Sequence, residues 1–315
     1  MTSEEFNIEC IKKLKRLDFA NRIAVIGSGP SSPFISSIQK LAKRMEELCS
    51  ITKEETEYYW VFFEKAYLAS QENYYNCIKE AFGKTPLWDA RAYDHLAEIP
   101  FKSFVTFNYD DQLPTAFWQK HKSDFSDCFS TFPVQGSATF FQPSDLVGHK
   151  QRLIAIHGCR NDDDPEWYKR LILKVSDYNA YYGDGLRNDG TYEFPALFDW
   201  WKNLLTSQPC VFIGTTLQEP GLSRVIDALL KDGNLALKNQ RHIHLKHTSR
   251  FSAEPFYEPS GQTFGEFEQV LYDNLDDQFN GLLEVLSAFS NIPTSRPVAI
   301  NPKRIPITVS DNFKF

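Results

Sequence analysis

Residues Ile23-Ala24-Val25-Ile26-Gly27-Ser28-Gly29-Pro30-Ser31-Ser32, IAVIGSGPSS, carry four apolar side chains straight into two glycines, a proline and three serines. A short apolar run bounded by turn residues fits a strand buried on both faces. Such a strand can simply end at Gly-x-Gly, or the turn can hold a phosphate. Glycine lets backbone approach an anion, and a following helix N-terminus supplies N–H groups and positive potential. The stretch alone leaves both readings open.

Other short apolar runs end in the same manner. Phe101–Phe107 closes on Asn108-Tyr109-Asp110-Asp111, Leu153–Ile156 on His157-Gly158, and Cys210–Ile213 on Gly214-Thr215-Thr216. Further strands are expected at 128–133 and His242–Leu245. Between them lie helical patterns: 3–19, Ile35–Leu48 with Pro33 as a first helical position, Lys53 to Ala97 broken only by Gly83 and Pro86, 174–206 around the loop YYGDGLRNDG, 220–232 and 264–289. Strands alternating with helices predict an α/β fold, a Rossmann-like parallel sheet flanked by helices. Residues 53–100, with part of 174–206, are expected to form a smaller helical module. The reading is one domain over 1–290 and an extended tail at 291–315, which holds four prolines. In an open parallel sheet, ligands bind beyond the carboxyl ends of the strands. The four polar clusters then share one edge, and this convergence favours the phosphate reading of GSGPS.

Composition narrows the partners. Across 315 residues, 42% are hydrophobic and 24% charged, the balance of a globular chain. The net charge of -7 argues against nucleic-acid binding, which rests on neutralising phosphates. Six cysteines lie far apart without a Cys-x-x-Cys pair, so no zinc ribbon and no disulfide scaffold is expected, only reduced, mostly buried thiols. MTSEEFNIEC has no basic region followed by an apolar one, and no run is long enough to span a bilayer. A cytoplasmic protein is the expectation. Aromatic content is high at 15%, concentrated in Tyr58, Tyr59, Trp60, Phe62, Phe63, Tyr67, Tyr74, Tyr75, Trp200 and Trp201, either as core or as an exposed interface patch.

Taken in order, the four clusters resemble the sirtuins. GSGPS at Gly27–Ser31 is similar to their Gly-Ala-Gly-Ile-Ser loop and TFNYD at Thr106–Asp110 to Thr-Gln-Asn-Ile-Asp. IHG at Ile156–Gly158 resembles the strand end with their catalytic histidine, and GTTLQEP at Gly214–Pro220 resembles Gly-Thr-Ser-Leu-x-Val-Pro. The paired cysteines of the sirtuin zinc module are missing, and Phe107 stands where glutamine is expected. The chain therefore looks less like a protein deacylase than like the sirtuin-like NAD-hydrolysing effectors of bacterial anti-phage defence, which often carry Asn-Tyr-Asp in the second motif.

That resemblance implies NAD+ as a substrate, with no metal. It implies Asn108 and His157 as catalytic residues, with His157 a general base of near-neutral pKa. Gly27, Ser28, Gly29 and Ser31 would cradle the pyrophosphate, Asp110 would hold the carboxamide, and Gly214, Thr215 and Thr216 would meet the far ribose or phosphate. A regulatory protein partner, sensor subunit or homo-oligomer is also implied, with no membrane. Plainer roles stand beside these. Asn108 or Asp110 can cap the following helix, His157 can be a satisfied buried histidine, and Thr215 and Thr216 can be turn residues. Asp162-Asp163-Asp164 reads as a solvated loop, and His242 and His244 lack the partners a metal site needs.

Overall fold

The computed structural model describes residues 3–31, 38–83, 91–133, 140–162, 164–183, 196–215, 217, 219–231, 240–247, 268–272 and 278–290. Ile23–Ile26 forms β1, and all four residues are fully buried. The other strands are β2 Ser103–Thr106, β3 Phe129–Thr131, β4 Leu153–Ala155, β5 Cys210–Ile213, β6 Ile243–His247 and β7 Glu268–Tyr272. They lie in the order β3-β4-β2-β1-β5-β6-β7, and every pairing is parallel. A parallel ladder requires a crossover between neighbours, and among the described residues α-helices lie between β1 and β2, β2 and β3, β4 and β5, and β5 and β6. The chain leaves β1 towards β2 on one side and later returns to β5 on the other, so the topological switch point is at β1.

Alternate side chains along the strands point to opposite faces and enter two different cores. Ala24, Ile26, Phe104, Val211 and Ile213 pack against α1 Ser3–Leu14, α5 Arg91–Glu98, α6 Gln112–His121, the short α7 Phe125–Cys128 and α11 Gln278–Ser287. Ile23, Val25, Val105, Ile154 and Phe212 pack against α8 Val175–Tyr182, α9 Ala196–Ser207 and α10 Pro220–Lys231. Pro114 falls in the first turn of α6, where its missing N–H costs no helical bond. A third core joins α2 Ile38–Cys49, α3 Tyr59–Ala69 and α4 Gln71–Phe82 to Trp167, Leu171 and Leu173. This is the smaller helical module, but α5 belongs to the sheet.

The structure corrects several sequence expectations. The pattern at 264–289 is not one helix: Glu268–Tyr272 is a strand, with Val270 and Tyr272 buried, and the helix is Gln278–Ser287. A short apolar run fits either period, and pairing with β6 decides it. The first helix stops at Leu14, and Lys53–Tyr58 is non-helical. The aromatics are core rather than an exposed patch. Tyr59, Trp60, Phe62, Phe63, Tyr74, Trp200 and Trp201 are buried, while Tyr58, Tyr67 and Tyr75 are partly buried against them. Among the described residues the exposed large hydrophobics are Ile8 and Leu68. All six cysteines are free and buried. No helix among the described residues is long and apolar enough to cross a membrane. The expected tail at 291–315 and the Pro33 helix start lie outside the described residues.

Phe104, fully buried between Phe101 and Phe117, tests this layering. Phe104→Ala should cost about 3–5 kcal/mol in chemical denaturation, and Leu68→Ala, on an exposed helix face, less than about 0.5 kcal/mol.

Candidate functional site

The strand register aligns Ile26 with Thr106 and Ile213, and Thr106 with Ala155. The residues that follow, Gly27, Phe107, Gly214 and Ile156, therefore leave the sheet side by side. The four clusters singled out in the sequence meet at one edge, around the switch point at β1.

The first loop is locked to the fourth. Gly27 N–H donates to the Ile213 carbonyl (2.9 Å), Gly29 N–H to the Gly214 carbonyl (2.8 Å) and Ser31 N–H to the Ser28 carbonyl (3.0 Å). A Cβ on Gly29 would lie 2.5 Å from Gly214 Cα, and one on Gly27 would lie 2.4 Å from Gly214 oxygen. Gly214 itself has φ +64, a conformation glycine adopts without strain. The room these glycines provide is thus taken by backbone of the facing loop. Ser28 is exposed at the rim. Behind the fourth loop, His244 Nε2–H donates to the Thr215 carbonyl (2.7 Å), and Thr215 Oγ1 accepts from Leu217 N–H (3.2 Å). Thr216 lies outside the described residues.

A buried polar network joins Asn108, Asp110 and Ser31 through Tyr93 of α5. Asn108 Nδ2 donates to the Tyr93 hydroxyl (2.8 Å) and approaches Ser31 Oγ (3.3 Å). Ser31 Oγ donates to Asp110 Oδ2 (3.0 Å), so Tyr93 is the donor in its own short bond to Ser31. Asp110 Oδ1 accepts from Gln112 N–H (3.0 Å), capping the start of α6. The donors run one way, from amide to tyrosine to serine to carboxylate. This commits the Asn108 amide nitrogen inward and leaves its oxygen as the atom that can face a ligand. Burial pushes the Asp110 carboxyl up to about 6.

His157 belongs to a second cluster. Its Nε2 is 2.9 Å from the Tyr182 hydroxyl, which also accepts from Trp201 Nε1–H (3.1 Å). Phe107 stacks on Trp201 (5.3 Å between centroids) and sets its edge against the imidazole (5.2 Å), while Tyr109 stacks parallel to it (6.4 Å). The imidazole is only 1% exposed, and burial lowers its pKa to about 3. It is a neutral imidazole throughout the physiological range, which corrects the expected near-neutral pKa. Glu219, just before α10, has Oε1 at 3.6 Å from His157 Nε2, and burial raises this carboxyl to about 7. Burial thus moves the Glu219 carboxyl towards neutrality and the imidazole away from it.

Tyr93, Tyr178, Tyr182 and Glu219 were missed by sequence reading. Glu219 stands inside GTTLQEP and was within reach of that motif, whereas Tyr93 sits in an unremarked helical stretch. In the acidic run Asp162 is exposed, Asp164 is partly buried and Asp163 lies outside the described residues. Asp162 pairs with the buried Arg160 (2.9 Å) and Asp164 with Arg170 (3.1 Å). His242 has both nitrogens engaged by backbone, accepting from Cys210 N–H (3.1 Å) and donating to the Leu205 carbonyl (2.9 Å). Among the described residues no group of His, Cys, Asp and Glu is arranged to hold a metal ion.

A parallel sheet with buried Asn, Asp, His and Ser at the carboxyl ends of its strands defines the class as an α/β protein with a candidate site there. The SIR2-like domain matches residues 102–260, half of the chain, and the chain belongs to that family. The match takes in Asn108, Asp110, His157 and Gly214 and begins after the Gly27–Ser31 loop. Among the curated proteins compared, none is similar to it. One solved structure that it resembles, described as "Structural Basis for the Mechanism and Regulation of Sir2 Enzymes", shares 11% identity with a TM-score of 0.40, over 90% of this chain and 97% of that one.

Two measurements test the site as built. Gly29→Val drives a side chain into Gly214 backbone, so it should prevent folding or cost more than about 3 kcal/mol with no ligand present, whereas Ser28→Ala should be near neutral by thermal melting. The second concerns pH. Glu219 and Asp110 have folded pKa values above their unfolded ones, so their contribution is fully present below about pH 4 and is lost as pH rises through about 6 and 7. For His157 the folded pKa is depressed, so its contribution is present above about pH 6.5 and is lost as pH falls towards about 3. Glu219→Gln should therefore stabilise the fold at about pH 8, on the order of 3 kcal/mol, and change it little at about pH 4.

Proposed function

We propose that the chain is an NAD+ hydrolase, cleaving the bond between nicotinamide and ribose to give nicotinamide and ADP-ribose. The observation that carries this reading is the pairing of Asn108 and His157 at the ends of adjacent strands β2 and β4, with Asp110 and Ser31 in one buried network at the switch point. Membership of the SIR2-like domain family supports NAD+ as the substrate class.

In this reading water adds to the anomeric carbon as neutral nicotinamide leaves, so the pocket faces a developing positive charge on the ribose. Asn108, its amide nitrogen fixed by Tyr93, presents its oxygen to orient that water. Asp110 meets the carboxamide, and His157 accepts a proton from a ribose hydroxyl. The Gly27–Ser31 loop and the Gly214–Thr216 turn hold the phosphate and ribose side. Gly27 and Gly29 act by fixing the loop against Gly214, Ser28 offers its hydroxyl, and Ser31, its own hydroxyl spent on Asp110, anchors the loop to the buried network. NAD+ depletion in an anti-phage defence system is the biological role this chemistry fits, and a gating partner or self-assembly follows from the cost of unchecked cleavage to the host cell.

A second reading rests on the burial of His157 and on the loop N–H groups spent within the protein. Both suit a module that binds NAD+ or ADP-ribose without turning it over. Transfer of ADP-ribose or an acyl group to a protein acceptor has no feature of its own here.

Incubation with NAD+ followed by chromatography separates the readings. Wild type should release nicotinamide and ADP-ribose in equal amounts, and Asn108→Ala and His157→Ala should each lower turnover by about a hundredfold or more while remaining folded. Bound but intact NAD+ would select the binding module. Near wild-type turnover in either folded variant would remove that residue from the assignment.

A further inference from the structure

Glu219 has an evident structural task. It precedes Pro220 at the start of α10, and its Oε2 accepts from Leu222 N–H at 2.6 Å, as a helix cap does. Capping uses one oxygen. The other, Oε1, is buried without a well-formed hydrogen bond, the Tyr178 hydroxyl lying beside the carboxylate, and is 3.6 Å from His157 Nε2. A buried carboxylate oxygen left unpaired is costly, and a surface cap would not incur that cost. The pair is enclosed on every side. Tyr178 and Tyr182 of α8 flank both groups, Tyr109 stacks on the imidazole from the β2 end, and Arg224 of α10 acts on the carboxylate. Gly221 keeps α10 close, since a Cβ there would fall 2.3 Å from the Tyr182 ring.

We propose that Glu219 is the positioning carboxylate of His157: its charge beside Nε2, whose proton the Tyr182 hydroxyl accepts at 2.9 Å, keeps the proton on that nitrogen and so leaves Nδ1 as the lone-pair nitrogen for the ligand side. This rests on the hydrolase reading for its consequence, though the pair itself does not. The proton balance is simple. When Nδ1 takes a proton from a ribose hydroxyl, an O–H bond breaks, an N–H bond forms, and the imidazolium lies against the Glu219 carboxylate. The water that adds to the anomeric carbon returns a proton to that ribose oxygen, and Nδ1 releases its own proton to solvent as the products leave. At 3.6 Å, longer than a hydrogen bond, the carboxylate acts on Nε2 through its charge. Raising of the Glu219 carboxyl by burial places its charge change where the imidazole can respond to it.

The test uses the whole chain as wild type and Glu219→Gln. Glutamine keeps an acceptor for Leu222 N–H and removes only the charge. Long-range nitrogen–proton NMR of the His157 imidazole, assigned with His157→Ala, reports its tautomer between about pH 5 and about pH 9. The wild-type Nε2 should be protonated and its shift should follow a titration near neutrality; in Glu219→Gln that titration should vanish. Turnover should fall about tenfold or more with KM nearly unchanged, and the acidic limb of its pH profile should flatten. Identical His157 signals in both proteins across that range would overturn the proposal, as would a wild-type imidazole with its proton on Nδ1. Should wild type release no nicotinamide, the hydrolase reading fails, and the imidazole titration still decides Glu219.

Discussion

The bond from Gly29 N–H to the Gly214 carbonyl ties the two crossovers that leave the sheet on either side of β1. Everything at the site is placed relative to it. Because the β1 loop turns towards β5, Ser31 comes round above β1 and meets Asn108 and Asp110 from β2. Because Gly214 is pulled towards β1, the chain beyond it delivers Glu219 and α10 over the His157 side. Two glycines in backbone contact, one with positive φ, make that junction possible. The carboxyl edge of the sheet supplies the location, and this close approach supplies the shape.

The two polar clusters differ in how they handle burial. Around Asn108 nearly every hydrogen-bonding atom is used, in a chain that ends on an ionised carboxylate, so the network is rigid and its donors have a fixed sense. Around His157 one oxygen of the Glu219 carboxylate lacks a well-formed hydrogen bond, and aromatic rings from Phe107, Tyr109, Tyr178 and Tyr182 surround the imidazole. Desolvation then dominates: it disfavours charge on both partners, lowering the histidine and raising the glutamate. One cluster holds a group still, and the other holds a proton between two groups of low charge tolerance.

Much of this was legible in the sequence, for identifiable reasons. Four apolar runs ending in polar or glycine residues announce a parallel sheet and its functional edge, because both follow from periodicity and chain direction. Asn108 and His157 sit where that logic puts them. What periodicity could not supply was contact across the fold. Tyr93 is a helical aromatic like its neighbours until tertiary packing brings its hydroxyl to Ser31 and Asn108. Glu219 reads as a helix cap because it is one, and only the structure shows the second oxygen facing an imidazole. The strand at Glu268–Tyr272 was lost to a helical reading, since a five-residue edge strand carries too few alternations to overrule the helix that follows.

Phe107 shows how a departure from a family pattern can be physically coherent. In sequence it displaces a glutamine and removes a polar contact next to Asn108. In the fold, alternation along β2 sends residue 107 to the face opposite Phe104, into the core shared by α8, α9 and α10. There it is stacked on Trp201 and edge-on to His157. A glutamine at this point would bring a donor and an acceptor beside the imidazole and hold water near it. Phenylalanine does the reverse, and so helps to keep His157 neutral until a partner charge is available. The substitution that weakens the resemblance and the carboxylate at residue 219 are therefore linked. A histidine enclosed by aromatic rings cannot readily accept a proton unaided, and Glu219 is the buried group close enough to make the imidazolium bearable.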